Sequence, residues 1–364
     1  MAVLSDAQRE AGWTIAKLGD IVTCLDHLRQ PIKGLDRVPG PYPYYGASGV
    51  VDYIDQYAID GKYLLISEDG ENLRSRSLPI AFYAVGKSWV NNHAHIISAS
   101  DSVMAYVKYV LNSHDVSAYL TGTTMPKLSQ KSMMLIDIPL PPQDILERIA
   151  GILGSLDDKI EANTRLIQTM DSYKSTLFQA HLCSESEGET IKVSDVATLI
   201  RKNIAASDID ESMNYVALEH IPRHSLYSHE WTNSEGVMSN KSGFKVGDIL
   251  FGKLRPYFHK VSIAAVDGIA STDILVLRPK TGFEVLAQSV LSSEDLIEYA
   301  TQVSSGTRMP RASWKDIMNY EVTVKNIEIL QESLSGFDTY SRALIHENKV
   351  LTETRDALIK RLIG

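Results

Sequence analysis

A chain of 364 residues with 44% hydrophobic and 22% charged residues is long enough for two or three domains with cores of their own, and its composition excludes collagen-like, disordered and disulfide-stapled classes. Cys24 and Cys183 stand far apart outside any Cys-x-x-Cys pattern, so neither a zinc finger nor a dithiol is readable. The formal charge of -9 gathers mostly in residues 143–190, which carry -5, while the blocks 13–142 and 191–325 are each one charge short of neutral. A near-neutral block can still turn a basic face to phosphate, so net charge excludes no nucleic acid partner. No window approaches the ~20 apolar residues of a membrane span. The first ten residues lack the apolar run of a signal peptide. A cytoplasmic protein without membrane contact is expected.

In chain order, the first block opens on Ala16-Lys-Leu-Gly-Asp-Ile21 and the aromatic run Pro41-Tyr-Pro-Tyr-Tyr45. Short apolar runs bounded by Gly, Asp and Pro follow at Tyr63–Ile66 and Ile80–Val85, and read as strands. Asp101–Leu111 has helical spacing. Thr121-Gly-Thr-Thr-Met-Pro-Lys-Leu-Ser129 is a Gly-Thr loop, followed by the apolar stretch Ile136–Leu140 and the breaker Pro141-Pro142. A long helical pattern comes next, then the polar linker Ser184-Glu-Ser-Glu-Gly-Glu189.

The chain then reads itself again. Ile191-Lys-Val-Ser-Asp-Val196 resembles residues 16–21, and Ser305-Gly-Thr-Arg-Met-Pro-Arg-Ala-Ser313 repeats the Gly-Thr loop 184 residues on. Between them lie strand-like runs at Asp248–Phe251, Val261–Ala265 and Ile274–Leu277, and a helical stretch at Phe283–Tyr299. Tyr320–Val324 precedes a second long helix. The order is globule, helix, globule, helix.

Both helices carry a sevenfold apolar repeat. In the first, Ile149, Leu156, Asn163, Met170 and Leu177 form one row, with Ile145, Ile152, Lys159, Leu166 and Tyr173 as its companion. In the second, Leu330, Phe337, Leu344, Leu351 and Leu358 alternate with Leu334, Ser341, Asn348, Arg355 and Leu362. Such seams predict two helices of ~36 residues, ~55 Å each, packed antiparallel on one another with the globules at opposite ends. Asn163 and Asn348 then meet within a layer or so and set the register of the seam.

Catalytic signatures are missing. No phosphate-binding Gly-x-x-x-x-Gly-Lys loop, Gly-x-Gly-x-x-Gly turn, His-Glu-x-x-His or Gly-x-Ser-x-Gly is present. Pro41–Tyr45 lacks the Asp/Asn-Pro-Pro-aromatic order of amino-methyltransferases. Asn91-Asn-His-Ala-His95 places His93 and His95 on one side of a strand, open to metal, to ordinary surface polarity, or to base or phosphate contact. Glu68-Asp-Gly-Glu71 reads as an acidic turn closing a strand. Lys253, Arg255, Tyr257, His259 and Lys260 put basic forks around an aromatic face straight after a strand, a composition suited to phosphate, guanine and stacked bases. Arg74 and Arg76 flank the matching loop of the first globule.

This layout resembles the specificity subunit of type I restriction-modification systems. The resemblance is carried in order by Tyr44-Tyr-Gly-Ala-Ser-Gly-Val50, Leu64-Leu-Ile-Ser-Glu-Asp-Gly70, the two Gly-Thr loops, Ile138-Pro-Leu-Pro-Pro142, Gly247-Asp-Ile-Leu-Phe251 and Ile269-Ala-Ser-Thr272. Pro-Pro-Gln-Asp-Ile145 follows the family's helix entry only loosely, and Thr323-Val-Lys-Asn326 stands where a second Pro-Pro entry would be.

The resemblance implies an α+β fold: two β-rich α/β target-recognition domains, 1–142 and 184–325, separated by an antiparallel coiled coil of spacer helices 143–183 and 326–364, with a pseudo-two-fold internal repeat. It implies a non-catalytic subunit without a cofactor of its own, reading a bipartite, asymmetric double-stranded DNA target. Its implied partners are modification subunits, two of them, carrying the adenine methyltransferase with its S-adenosylmethionine, and a motor and nuclease subunit. Expected DNA contacts are Tyr44, Tyr45, Ser48, Arg74, Arg76, Asn92, His93, Lys253, Arg255, Tyr257, His259, Lys260 and Arg308. A coiled-coil scaffold binding only proteins, and a degenerate methyltransferase, are the rival readings.

Overall fold

The computed structural model describes residues 3–183, 187–227, 230–306 and 308–363. Ser184–Ser186 of the expected linker and Thr307 of the second Gly-Thr loop lie outside the described residues. The chain divides into a first unit, up to Asp158 and again from Thr352 onward, and a second unit, Lys159–Leu351. Each long helix therefore contributes one part to each unit. Among the described residues no helix is long and apolar enough to cross a membrane.

In the first unit an antiparallel sheet has the strand order Thr23–Cys24, Ala94–Ser98, Lys62–Ser67, Ala81–Val85. Its centre is Leu64, Leu65, Ile66, Ile96 and Ile97, all fully buried. Asp101–Ser113 begins at Ser100, whose hydroxyl caps Val103 N–H, and joins the same core through Tyr106, Val107 and Leu111. A second sheet pairs the hairpin Pro39–Gly46 and Gly49–Ile54 with Trp89–Val90.

The second unit repeats the first sheet as Ala197–Ile200, Ile274–Pro279, Ile249–Gly252, Val261–Ile263. Its second sheet has five short strands, centred on Gly268–Ala270. The repeat extends to single residues. Thr14–Lys17 pairs with Asp137–Leu140, bringing Lys17 opposite Asp137 in an ion pair. Glu189–Lys192 pairs with Glu321–Val324, bringing Lys192 opposite Glu321 at 3.2 Å. The turns that follow, Leu18–Ile21 and Val193–Val196, both close on an aspartate, Asp20 or Asp195, that accepts from the lysine backbone N–H.

Gln143–His181 is one helix of 39 residues, about 58 Å long. Its inward rows, buried or half-buried, are Ile149, Leu156, Asn163, Met170, Leu177 and, as the companion, Leu146, Leu153, Ile160, Ile167, Lys174. Of the expected companion row Ile145 is half-buried against the first unit's core, but the rest turns outward: Ile152, Leu166 and Tyr173 are 41%, 38% and 52% exposed. Apolar residues flank the first row on both sides, and the side that buries a lysine is the one that packs.

The second helix also departs from expectation. It is two pieces, Ile327–Leu334 and Phe337–Leu362, parted at Ser335-Gly336, where Gly336 takes the left-handed φ of 84° that ends a helix. The stretch 283–299 is likewise split into Glu284–Leu291 and Glu294–Gln302, because the Ser293 hydroxyl caps Leu296 N–H and starts a new helix. Within the second unit the two long helices run antiparallel, with Tyr173 against Phe337 at 5.9 Å and Asn163 bonded to Asn348. Within the first unit Leu146, Ile149 and Leu153 share a core with Leu358, Ile359 and Leu362.

Candidate nucleic-acid interface

The loops leaving the main sheet are locked alike in both units. In the first, Glu68 N–H donates to His93 O at 2.8 Å, Leu128 N–H to Glu68 O at 2.7 Å, and Gly70 N–H to Pro126 O at 3.2 Å. In the second, Lys253 N–H donates to Asp273 O at 3.0 Å, Ala312 N–H to Lys253 O at 2.9 Å, and Arg255 N–H to Pro310 O at 2.7 Å. Each Gly-Thr loop is closed by a reciprocal backbone pair, Thr121 with Lys127 and Ser305 with Arg311. Gly70 and Arg255 occupy the same place and both have positive φ, 110° and 51°; the second is strained for a residue with a Cβ. Strand end, following loop and Gly-Thr loop thus form one frame, used twice.

The frames carry different side chains. In the first unit Glu68 binds Arg29 and Lys127, and Arg29 also reaches Asp26 at 3.0 Å. Burial pushes both carboxyls up, but bonds from His95 to Asp26 and from Arg29 and Lys127 to Glu68 bring them below their ordinary values. His95 is fully buried between Asp26 and Leu128 O. His93 precedes the strand, is half exposed and meets Asp69 at 2.8 Å. The two histidines therefore do not share a face, and a joint metal role is excluded by their separate partners. Asn92 beside them is exposed.

Several expected contacts prove to be framework. Tyr44 is buried; its hydroxyl meets the Ile32 backbone, and Arg37 lies 4.2 Å above its ring. Tyr45 is half buried against Phe82 at 6.2 Å, while Ser48 at the hairpin tip is exposed. Arg76 donates to Leu111 O and His114 O, satisfying the carbonyl end of the helix Asp101–Ser113. Arg74 is exposed but donates to Gly122 O at 2.9 Å, bracing the Gly-Thr loop. The sequence cannot announce which way such arginines turn, because the carbonyls they meet lie 35 or more residues away.

In the second unit Lys253 is half buried beneath the Gly-Thr loop, and Tyr257 is 48% exposed with Phe258 edge-on at 4.8 Å. Arg255 lies 5.9 Å from the Phe258 ring, with its Nε buried and without a hydrogen-bond partner among the described residues. His259 is buried, its ring between Ser292 O and Glu294, and burial lowers its pKa. Lys260 donates to Leu218 O, and burial lowers its pKa also. These last two hold the loop rather than face solvent. Arg308 is exposed.

Cation–aromatic pairs that sequence reading missed complete the surface. Arg223 stacks on Phe258 at 4.0 Å and Arg201 on Trp314 at 4.3 Å, both arginines exposed. In the first unit Lys87 lies over Tyr57 at 4.7 Å, beside Tyr42 at 5.1 Å. Each offers a positive fork or tip beside a π-face, which suits phosphate contact, base-edge hydrogen bonding and stacking. Their partners are remote in sequence, so no spacing announces them.

Known proteins resemble this chain in sequence and in fold. Residues 10–171 match the family model of the type I restriction modification DNA specificity domain. Over 141 residues the chain is 33% identical to the specificity-subunit sequence S.HindORF215P of Haemophilus influenzae, an alignment spanning 38% of this chain and 36% of that one. Against the EcoDI specificity subunit of Escherichia coli it is 21% identical, with 88% of this chain and 79% of that one covered. The crystal structure of the type I restriction-modification system S subunit from M. genitalium matches with a TM-score of 0.59 at 15% identity, over 97% of this chain and 96% of that one. That last likeness is one of fold.

Proposed function

We infer that this chain is a specificity subunit of a type I restriction-modification system, a non-catalytic component that gives such a complex its DNA target, and that each of its units reads one half of a split, asymmetric site on double-stranded DNA. One observation carries the reading. The same three backbone hydrogen bonds build the loop frame in both units, while the frame presents Glu68, Asp69 and His93 in one and Lys253, Arg255 and Asp273 in the other. A repeated frame with unlike side chains is what two different half-sites need.

Within the first unit's frame, Ser48, Asn92, His93 and Lys87 with Tyr57 are the groups we assign to DNA. Within the second they are Tyr257, Arg308, Arg223 and Arg201 with Trp314, and Lys253 and Arg255 at the loop base. The chain is part of a type I complex. We assign its outward row Leu166 and Tyr173, on the acidic first helix, to the docking of modification subunits, two per chain, with a motor and nuclease subunit joining them. Methyl transfer and its S-adenosylmethionine then belong to those partners, and the complex works on the chromosome in the cytoplasm.

The test is selection of bound duplexes from a random pool by the chain assembled with its modification partners. A two-part consensus with unequal halves around an unread gap is expected. A single contiguous consensus, or none, would overturn the reading.

A further inference from the structure

We propose that His224, His259 and Glu294 form a binding site for one divalent ion of the zinc class in the second unit. One ring nitrogen of each histidine and one Glu294 carboxylate oxygen all lie within 4.8 Å of one another. Glu294 Oε1 is 3.3 Å from His224 Nδ1 and 3.1 Å from His259 Nδ1. A tetrahedral zinc ion with bonds of about 2.0–2.1 Å holds neighbouring donors about 3.3 Å apart, the spacing that Glu294 already keeps to both histidines. Two imidazoles and one carboxylate are a donor set for zinc and its neighbours. Calcium and magnesium seek more ligands, all oxygen.

The surroundings aim the donors. The His259 ring sets its Nε2 2.9 Å from Ser292 O, and donation there leaves the Nδ1 lone pair facing the cluster. His224 N–H donates to His259 O at 3.1 Å, tying the two backbones together. Both histidines hold positive φ, 51° and 47°, an unfavourable conformation for residues with a Cβ and one that brings their rings to 4.7 Å. Glu294 starts the helix Glu294–Gln302, and among the described residues its ion-pair partners are these two imidazoles. Among the described residues the other cluster of this type, Asp26, Glu68 and His95, differs: Arg29 and Lys127 already neutralise its carboxylates.

Three protein donors leave a fourth position to water. The cluster borders a cavity of about 350 Å³ lined also by Asp171, Ser172 and Ser225, which gives that water room. His259 closes the loop that carries Lys253, Arg255 and Tyr257, and Glu294 stands on a separate helix. The ion would pin the basic loop to that helix.

The experiment uses the full chain without an affinity tag, stripped by chelator and titrated with zinc alone by calorimetry and with cobalt alone by absorbance. His224 and Glu294 are 61% and 62% exposed, so His224→Gln and Glu294→Gln retain the fold, which circular dichroism checks. One ion per chain is expected, with tetrahedral cobalt bands, and at least about tenfold weaker binding in either variant. Replacing Cys24 and Cys183 by Ser should change nothing. Absence of stoichiometric binding, binding unaltered in both variants, or binding lost with the cysteines would overturn the proposal.

Discussion

Asn163 Nδ2 donates to Asn348 Oδ1 at 2.9 Å in the buried seam of the two long helices, and to Glu347 at 2.8 Å on its rim. Asn348 Nδ2 in turn reaches Thr164 Oγ1 at 3.2 Å. Apolar residues occupy most neighbouring seam positions, so this amide pair is satisfied only when those two layers coincide. Replacing both by Leu should raise the unfolding midpoint by about 2–4 °C, the shift that about 1 kcal/mol gives a domain of this size. It should also permit misregistered or associated species, seen as a broadened peak in light-scattering chromatography. A double variant that is less stable and strictly homogeneous would show that the amides do not set register.

Lys174 occupies the companion row and is 2% exposed, its ammonium donating to Gln288 Oε1 at 2.6 Å. Burial pushes its pKa down to about 8, against the opposing pull of Asp338 and Asp171. The unfolded chain keeps this proton up to about 10.4, so between about pH 8 and 10 the unfolded state binds more protons and stability from this group rises with pH. Relative to Lys174→Met, the parent chain should gain about 1–2 kcal/mol from pH ~7.5 to ~9.5 in urea unfolding. Parallel pH profiles would place the titration elsewhere.

Arg201 and Arg76 should separate DNA contact from framework. Arg201 is exposed on Trp314, whereas Arg76 holds the end of a helix. Arg201→Ala should leave the unfolding midpoint within about 1 °C and weaken DNA binding of the assembled complex. If it contacts phosphate, the loss is uniform across sequences and the salt slope falls by about one. If it contacts a base, one position of the target relaxes at a cost of about 1–3 kcal/mol. Arg76→Ala should lower stability by about 1–3 kcal/mol, because buried carbonyls lose their donor. Unchanged binding in Arg201→Ala would remove that residue from the interface.

The sequence was readable where local chemistry repeats. Lys17 with Asp20, and Lys192 with Asp195, announced the paired turns, and the two Gly-Thr loops announced the frame. The row from Ile149 to Leu177 was equally plain. Its companion was not, since Ile152, Leu166 and Tyr173 are as apolar as the row that packs, and Lys174 disguises the latter. The break at Gly336 was hidden inside an unbroken sevenfold pattern. Site residues were hardest. Tyr44, Arg76, His259 and Lys260 have the composition of DNA contacts, yet each meets a backbone group or side chain fixed only by the tertiary fold. Arg201 and Trp314 lie 113 residues apart in the chain, beyond the reach of any spacing rule.

The two-reader account is tested most directly by lengthening the link between the units. Seven residues would be inserted after Asp158 and seven after Leu351, where the chain passes between its units and where one added heptad in each helix keeps the seam in phase. The pair lengthens by about 10 Å, which is about three base pairs at ~3.4 Å each. Methylome sequencing of cells expressing this variant with its modification partners should return the two parental half-sites with the unread gap widened by about three base pairs. Methylation at the original spacing alone, by an active variant, would contradict the account.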